Sequence, residues 1–364
     1  MKILFYFFRL ETSGGAERMI CRLASEMHAR GHEVQIVSWD GPGSEAFYPL
    51  PREVKWHKLG FVPGLKDKIR RTRALRRLCR EERPDVFVGF VMSADKTIYA
   101  ANLGTGVPMI AAERNAPTMY GLKMGAFRQA LYFNLFRLCR KIAVQFEEYR
   151  NGYPAYLHEK IVAIPNPVKP ASAFARPGDD TAGIRMLLAV GRLVDQKQFE
   201  VLLNAYALIA DEFPDWCLRI VGDGENRGSL EHQIQSLGLS NRVTLPGATS
   251  DIQAEYVNAH LFVLPSRWEG FPNALAEALA HGLPAAGFAD CPGVNDLIAD
   301  GSNGLMAAGT DDPQSLANTL RRLMADDKLR REMGAQAVES MEPYEPRKVF
   351  DFWETLLEEC PRRC

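Results

Sequence analysis

The sequence predicts two doubly wound α/β domains in tandem, and three observations predict it. Short apolar runs alternate with helical stretches through the first 168 residues. A stretch rich in Pro, Ala, Gly and Asp at 169–183 interrupts the alternation. The strand-then-helix pattern then restarts at Arg185. A chain of 364 residues is long enough for two domains, and 46% hydrophobic residues are enough for two cores.

In the first half, Ile3–Phe8 is an apolar run ahead of Arg9, too short for a signal-peptide core and read as a buried first strand. A helix begins at about Ala16, with Met19, Ile20, Leu23, Ala24 and Met27 at helical spacing and Gly31 as its stop. Glu33–Ser38, Val86–Phe90, Met109–Ala112 and Ile142–Val144 read as strands, with a basic helix over roughly Leu65–Glu82. Ile161–Val168 reads as a strand running into a proline-punctuated turn. In the second half, Arg185–Val190, Cys217–Val221, Arg242–Leu245, Leu261–Leu264 and Ala285–Phe288 read as strands. Phe199–Asp211, Asn226–Leu237 and Asn273–His281 read as helices, and helices fill most of the remainder. Such folds bind ligands beyond the carboxyl ends of their strands. Thr12–Glu17, Gly191–Lys197, Gly222–Gly224 and Arg267–Asn273 all follow strands, so they are expected to converge on one cleft.

Composition excludes several classes. No apolar run approaches the ~18 residues of a membrane span. The seven cysteines lack a Cys-x-x-Cys pair, which argues for a reducing compartment and against a disulfide framework or zinc site. Cys360 and Cys364 are close, but no His or second pair completes a metal set. A net charge of −1 hides an asymmetry: residues 1–165 hold 26 Lys and Arg against 16 Asp and Glu, and the rest hold 18 against 29. The basic half suits an anionic partner. Its cations concentrate in Lys66–Arg83, with Ile69, Leu75, Leu78 and Cys79 as a limited apolar stripe, and in Leu122–Lys141. Basic amphipathic helices of this kind lie on anionic lipid, or else pack with solvated faces. No nucleic-acid motif accompanies the charge.

The most informative stretch is PSRWEGFPNALAEA at 265–278. It reads as a loop from a strand into a helix, with Pro272 in the first turn, where its missing N–H is no loss, and Gly282 as the stop. Free N–H groups around Asn273, Ala274 and Leu275 make an anion site. Glu269 precedes that site and Glu277 lies inside the helix. A phosphate with hydroxyls on both sides fits, and a nucleotide-sugar has that shape. The carboxylates read equally as a general acid/base pair or as two hydroxyl acceptors. Glu277, among Ala274, Leu275, Ala276, Ala278, Leu279 and Ala280, needs a partner or a ligand.

Gly191, Arg192 and Lys197 follow the first strand of the second half, where a planar fork and a point charge suit a diphosphate. Gly222-Asp223-Gly224 nearly completes Gly-x-Gly-x-x-Gly, but Arg227 stands at the third glycine and no acid ends the next strand. Asp40 ends a strand as a ribose-binding acid would, yet the preceding loop has Gly14-Gly15 and no Gly-x-Gly. A nicotinamide enzyme is therefore disfavoured. The Gly-x-x-x-x-Gly-Lys loop, Asp-x-Asp and metal-spaced histidines are all absent. Glu113, Arg114 and Asn115 follow a strand, and Asn166 marks the domain junction.

In their order along the chain, Gly14-Gly15-Ala16-Glu17-Arg18, Arg192 with Lys197, and Glu269 and Glu277 around Gly270-Phe271-Pro272-Asn273 resemble the family-4 retaining glycosyltransferases of the GT-B fold. The resemblance covers nearly the whole chain. It implies two Rossmann-like domains facing a central cleft. Residues 1–168, joined by a C-terminal helix at 344–364, form a basic acceptor-binding domain; 169–183 is a linker; 184–343 binds the donor. It implies that Arg192 and Lys197 bind the diphosphate, Glu277 the ribose hydroxyls and Glu269 the transferred sugar, with Arg192, Lys197 and Glu269 as the catalytic set. Gly191, Gly270, Phe271, Asn273, Ala274 and Leu275 complete the donor site, and Gly15 lies beneath the diphosphate. Glu17, Arg114 and Asn115 are acceptor or sugar candidates. Arg114 stands where many relatives have His, and it cannot act as a base.

The resemblance further implies metal-independent chemistry with no cofactor and retention by front-face attack. The departing diphosphate assists removal of the acceptor proton. The donor is expected to carry uridine, with guanosine as the other base, and a hexosyl or N-acetylhexosaminyl group. The basic domain adds an expected acceptor, a polyprenyl-diphosphate-linked saccharide at the inner face of the cytoplasmic membrane. The protein would be cytoplasmic and peripheral, reaching the membrane through 66–83 and 122–141, without a nucleic-acid partner. Two other readings are a nucleotide-sugar 2-epimerase-like enzyme of the same fold and a non-catalytic nucleotide-sugar-binding protein. Glu269, Glu277, Arg192 and Lys197 together argue against the second.

Overall fold

A computed structural model of the chain describes residues 1–61, 67–91, 95–178 and 183–360. Residues 65 and 66 of the expected basic helix, 179–182 of the expected linker and 361–364 lie outside the described residues, as does the side chain of Lys123. The chain divides into two compact units, Met1–Asn166 with Arg347–Cys364, and Pro167–Pro346.

The first unit runs β1 (Lys2–Tyr6), α1 (Gly15–Ala29), β2 (Glu33–Ser38), β3 (Lys55–Lys58), α2 (Asp67–Glu82), β4 (Val86–Phe90), α3 (Thr97–Asn102), β5 (Met109–Ala112), α4 (Thr118–Lys123), α5 (Ala126–Phe136), β6 (Lys141–Val144) and β7 (Ile161–Ala163). Its seven strands lie in the order β3-β2-β1-β4-β5-β6-β7, and every ladder is parallel. Central parallel strands are covered on both faces, so they read as continuous apolar runs. All five residues of β4 are buried. The last helix, Pro346–Glu358, sends Val349, Phe350, Trp353, Leu356 and Leu357 into the core formed by β1, β4 and α1. Trp353 stacks on Phe90 with ring centroids 6.1 Å apart.

Two expectations for this unit need correction. β3, Lys-Trp-His-Lys, carries no apolar run because it is an edge strand. Glu82 ties it in: its carboxylate accepts from Lys55 Nζ at 2.5 Å, Gln35 Nε2 at 2.8 Å and Lys2 Nζ at 3.0 Å. One carboxylate thus links β1, β2, β3 and α2. The inward face of α2 is Arg71, Leu75, Leu78 and Cys79, while Ile69 is 63% exposed. Arg71 belongs to the i, i+4, i+7, i+8 stripe that Ile69 misses. Its charge is met inside by Asp95 at 3.5 Å, and its guanidinium lies over the Trp39 ring.

The second unit runs β8 (Arg185–Val190), α6 (Phe199–Ala207), β9 (Trp216–Val221), α7 (Arg227–Ser236), β10 (Val243–Gly247), α8 (Ile252–Asn258), β11 (Leu261–Leu264), α9 (Asn273–Ala280), β12 (Ala285–Phe288), α10 (Val294–Leu297), β13 (Gly304–Ala307), α11 (Pro313–Ala325) and α12 (Asp327–Ser340). The order is β10-β9-β8-β11-β12-β13, again all parallel, and strand order reverses between β8 and β11. Helix α6 stops at Ala207, and a separate 3-10 turn at Ala210–Glu212 completes the stretch expected as one helix. β13 stands where helices were expected; Gly-Leu-Met-Ala has too little β-branching to announce an edge strand. Buried Arg330 fixes α12 by donating to the carbonyls of Pro177, Leu323 and Met324. No described helix is long and apolar enough to cross a membrane.

Lys55 first, then Gln35 and Lys2, hold the Glu82 carboxyl down to about 2. The stability it contributes is complete above the unfolded carboxyl value of about 4.3 and is lost as pH falls through the folded value. Glu82→Gln is expected to lower the urea midpoint at neutral pH. The wild-type and variant stability curves should converge between about pH 5 and pH 2. Curves that stay parallel across that window would remove Glu82 from the acid response.

Candidate active site

At the switch point of the second unit, the chain leaves β8 through Gly191–Lys197 and leaves β11 through residues 265–272. Backbone packing shapes the first loop. A Cβ on Gly222, at φ 146°, would stand 1.9 Å from the Gly191 carbonyl oxygen, and one on Gly224 2.4 Å from that of Leu193. The loop after β9 therefore lies directly on the loop after β8, latched by Leu193 N–H to the Asp223 carbonyl at 3.0 Å. The near match to a dinucleotide fingerprint is explained by this close approach. Gln198 closes the turn at φ 50°, a left-handed conformation that costs a non-glycine residue about 1–2 kcal/mol.

Backbone and side-chain hydrogen bonds then lace the two switch-point loops together. Arg267 N–H donates to the Gln196 carbonyl at 2.9 Å, and Gln196 Nε2 donates to the Trp268 carbonyl at 2.7 Å. Lys197 Nζ donates to Glu269 Oε1 at 2.5 Å, and Ser266 Oγ reaches the same oxygen at 2.6 Å. Glu269 is 6% exposed, and its N–H donates to the Pro292 carbonyl at 2.9 Å. Burial first, then the nearby Glu269 carboxylate, push the Cys291 thiol up. Arg192 is exposed and has no side-chain partner among the described residues. Lys197 and Glu269, expected on separate parts of a ligand, are thus each other's partners.

Helix α9 begins at Asn273. The Ala276 N–H is taken by the Pro272 carbonyl at 3.0 Å and the Asn273 N–H by that of Phe271 at 2.9 Å, which removes Asn273 from the set of free donors. Ala274 and Leu275, in the first turn, have no intrahelical carbonyl within reach. Phe271 is buried, with its ring 5.6 Å from that of Tyr344, so Gly270-Phe271-Pro272 is anchored by packing. Glu277 Oε2 accepts from Tyr256 Oη at 3.1 Å. That supplies the partner this carboxylate needed on an apolar helix. Tyr256 is buried in α8 against His281, with rings 5.0 Å apart. Tyr256 and Pro292 carry no local sequence signal, because each is joined to the site only through tertiary contact.

The candidates of the first unit occupy two places there. Gly15 opens α1 after β1, and Glu17 folds back over Gly14, with its Oε1 accepting from Thr12 Oγ1 at 3.1 Å. A Cβ on Gly14 would stand 2.3 Å from the Glu17 carboxylate, so the glycine admits that fold-back. Arg114 and Asn115 follow β5, and Asn115 is half-buried. Arg114 turns inward at 7% exposure, its guanidinium 5.6 Å from the Phe90 ring and 5.3 Å from the Trp353 ring. Its Nη1 donates to the Ile164 carbonyl and to Asn166 Oδ1, each at 3.3 Å, and burial lowers it to about 10. Here Arg114 braces the end of the first unit from within. His32, Glu354 and Glu358 bring ligand atoms within 4.8 Å of one another. Glu354 is already bound by Arg30 and His32, which hold its carboxyl below the usual range.

Two units, each a parallel sheet flanked by helices, with a switch-point loop pair laced together in the second, have the architecture of the GT-B fold, and the comparisons supply the class, a glycosyltransferase. The model described as "Glycosyltransferase Family 4" matches residues 13–172, and "Glycosyl transferases group 1" matches residues 181–340. The chain belongs to the family-4 glycosyltransferases. It is 27% identical over 372 residues, covering 99% of each chain, to a Campylobacter jejuni α-1,4-N-acetyl-D-galactosaminyltransferase named for a diNAcBac-PP-undecaprenol-linked acceptor. Its fold matches sucrose-phosphate synthase from Thermosynechococcus elongatus with a TM-score of 0.82 at 17% identity, covering 98% of each chain. It matches Anabaena HepE, solved with UDP and glucose, with a TM-score of 0.79 at 18% identity, covering 98% of this chain and 99% of that one.

Gly222→Ala puts a methyl group inside the Gly191 carbonyl at a φ that L residues avoid. We expect it to destabilise the second unit by at least ~2 kcal/mol, read as a fall in the thermal midpoint. An unchanged midpoint would show that this close approach does not shape the loop.

Proposed function

We propose that this glycosyltransferase acts with retention and without a metal, moving a hexosyl or N-acetylhexosaminyl group from a UDP-sugar to a polyprenyl-diphosphate-linked saccharide. The observation that carries the reading is the grouping at one switch point of Arg192, the Lys197–Glu269 pair, the first turn of α9 and Glu277. The Campylobacter relative's named acceptor and the UDP and glucose in HepE support the substrate classes.

In this reading Glu277, oriented by Tyr256, accepts the ribose hydroxyls. Lys197 is charge-balanced by Glu269, so the positive groups offered to a diphosphate are Arg192 and the N-terminus of α9. Lys197 retains two further N–H donors and reaches a phosphate oxygen while still held. Glu269 accepts from the transferred sugar with its remaining oxygen. Gly191 and Gly270 let sugar and phosphate approach the backbone closely. The acceptor hydroxyl oxygen bonds to the anomeric carbon on the face from which the diphosphate leaves. The sugar–phosphate bond breaks with its electron pair on the phosphate oxygen, and that oxygen takes the acceptor proton. The protein's part is orientation and stabilisation of charge on the leaving group.

The first unit is the proposed acceptor side, with Gly15 and Glu17 at the start of α1. Because Glu17 covers that N-terminus, a diphosphate resting on Gly15 requires its carboxylate to swing aside. We place the protein peripherally on the inner face of the cytoplasmic membrane. Lys68, Arg70, Arg73, Arg77 and Arg80 are exposed on α2, and Phe127 on α5 is 85% exposed beside exposed Arg128. Cations beside an unpacked aromatic suit an anionic interface.

A thermal-shift screen of UDP- and GDP-sugars, followed by product analysis with a lipid-linked acceptor, tests the reading. Stabilisation by none of the donors, or an epimerised sugar in place of transfer, would overturn it. Activity should survive chelation of divalent metals.

Glu269→Gln leaves Lys197 its full charge. UDP should bind at least as tightly, while turnover falls by roughly 10²–10³; calorimetry with steady-state rates checks both. Tyr256→Phe should raise the donor KM roughly 3–10-fold with kcat nearly unchanged, because only the orientation of a ground-state contact is lost. Equal losses in both parameters would place Tyr256 in the transition state instead.

A further inference from the structure

The first unit has a polar pocket at the edge of the sheet opposite its strand carboxyl ends. A volume of about 590 Å3 is lined by Gly106–Met109 at the start of β5, Arg137–Lys141 at the start of β6, and Lys160. Four of its ten lining residues, Arg137, Arg140, Lys141 and Lys160, are cations, and none is acidic. Two of the cations are fixed by the fold. Lys160 Nζ donates to the Arg137 and Cys139 carbonyls, each at 2.7 Å, and so caps the carboxyl end of α5. The Arg137 guanidinium lies 5.5 Å from the Tyr156 ring centre. The other two, Arg140 and Lys141, have no hydrogen-bonded or ion-paired side-chain partner among the described residues. Arg140 is nonetheless anchored through its N–H, which donates to the Met109 carbonyl at 2.7 Å.

Cations on this edge have a structural explanation, since helix carboxyl ends gather there. Lys160 fits it fully and Arg137 in part. It does not account for Arg140 and Lys141, which follow the helix, bind no terminal carbonyl through their side chains among the described residues and face a concave surface with no carboxylate among its lining residues. Fixed walls and unneutralised charge in a concavity are what a phosphate requires. Exposed Leu138 sits in the lining, and exposed Leu103 lies three residues before it.

We infer that this pocket binds a phosphate-bearing anion, with Arg140 and Lys141 as the ligand-contacting cations and Lys160 as the fixed positive floor. The site is separate from the donor site, and its failure would leave the glycosyl-transfer reading untouched. The shared chemistry is the phosphate, and its source is either a lipid headgroup or a soluble phosphate. The apolar Leu103 and Leu138 suit the first.

The test compares the full chain with Arg140→Gln/Lys141→Gln. The donor site is present in both proteins, so the difference reads the pocket alone. Pyrophosphate binding is measured by calorimetry. Flotation uses phosphatidylcholine vesicles with and without phosphatidylglycerol. The double variant should lose one pyrophosphate site, or bind it at least about tenfold more weakly, and keep its thermal midpoint. Arg140→Lys/Lys141→Arg should retain binding, which separates loss of charge from loss of fold. Loss of flotation on phosphatidylglycerol vesicles, with or without loss of pyrophosphate, assigns a lipid headgroup. Loss of pyrophosphate alone assigns a soluble phosphate. Unchanged binding in both arms overturns the inference.

Discussion

The second unit depends on one ion pair across its switch point, Lys197 with Glu269 at 2.5 Å. A parallel sheet ends at its switch point in two loops that diverge to opposite faces, and nothing in the sheet itself holds them together. Here the pair does so, backed by Ser266 on the same carboxylate oxygen and by the Gln196 contacts to Arg267 and Trp268. Both charges are largely buried, with side-chain exposures of 14% and 7%. Breaking such a pair leaves an uncompensated charge inside, so the geometry is enforced by the cost of losing it more than by its net worth. The start of α9, immediately downstream of Glu269, inherits its position from this pair.

That arrangement also sets how charge is distributed for a ligand. An isolated lysine beside a helix N-terminus would make the site strongly positive without ligand. Pairing it with Glu269 keeps the resting site near neutral while leaving Arg192 exposed and the α9 N-terminus open. In the proposed mechanism the fixed elements would provide orientation and the exposed Arg192 would provide charge. A catalyst that works by charge stabilisation benefits from groups already in place before the reaction.

The sequence made legible what depends on local periodicity or on fixed spacing. β2, β4, β5, β8, β11 and β12 coincide with the strands expected from the sequence, since a strand covered on both faces reads as a largely apolar run. Edge strands β3 and β13 were illegible for the same reason, being stabilised by Glu82 or by backbone proximity at Gly304. Within the site, the loops and both glutamates could be named from spacing alone, but their partners could not. Tyr256 reaches Glu277 from a helix 21 residues away, and Lys197 reaches Glu269 over a separation of 72. The prominence of Gly222-Asp223-Gly224 misdirects in the same way, because its glycines serve a neighbouring loop as much as any ligand.

Charge asymmetry is the feature that structure sharpens most. Read linearly, the first half is simply basic. In three dimensions several of its cations are accounted for: Arg71 by Asp95, Arg76 by the carbonyls of Ala100, Ala101 and Leu103 at the end of α3, and Arg114 by Ile164 and Asn166. These are structural cations, held by partners inside the unit. What remains is less than the net charge suggests, and two groups of it are the outer face of α2 and the concave edge at Arg140 and Lys141. A partner that merely needed positive potential would be served by cations spread evenly over the unit. Under the inference drawn above, exposed cations gathered on one helix face and one pocket wall would suit an anion of defined shape held against a surface, because only fixed geometry distinguishes one anion from another once screening has flattened the long-range field.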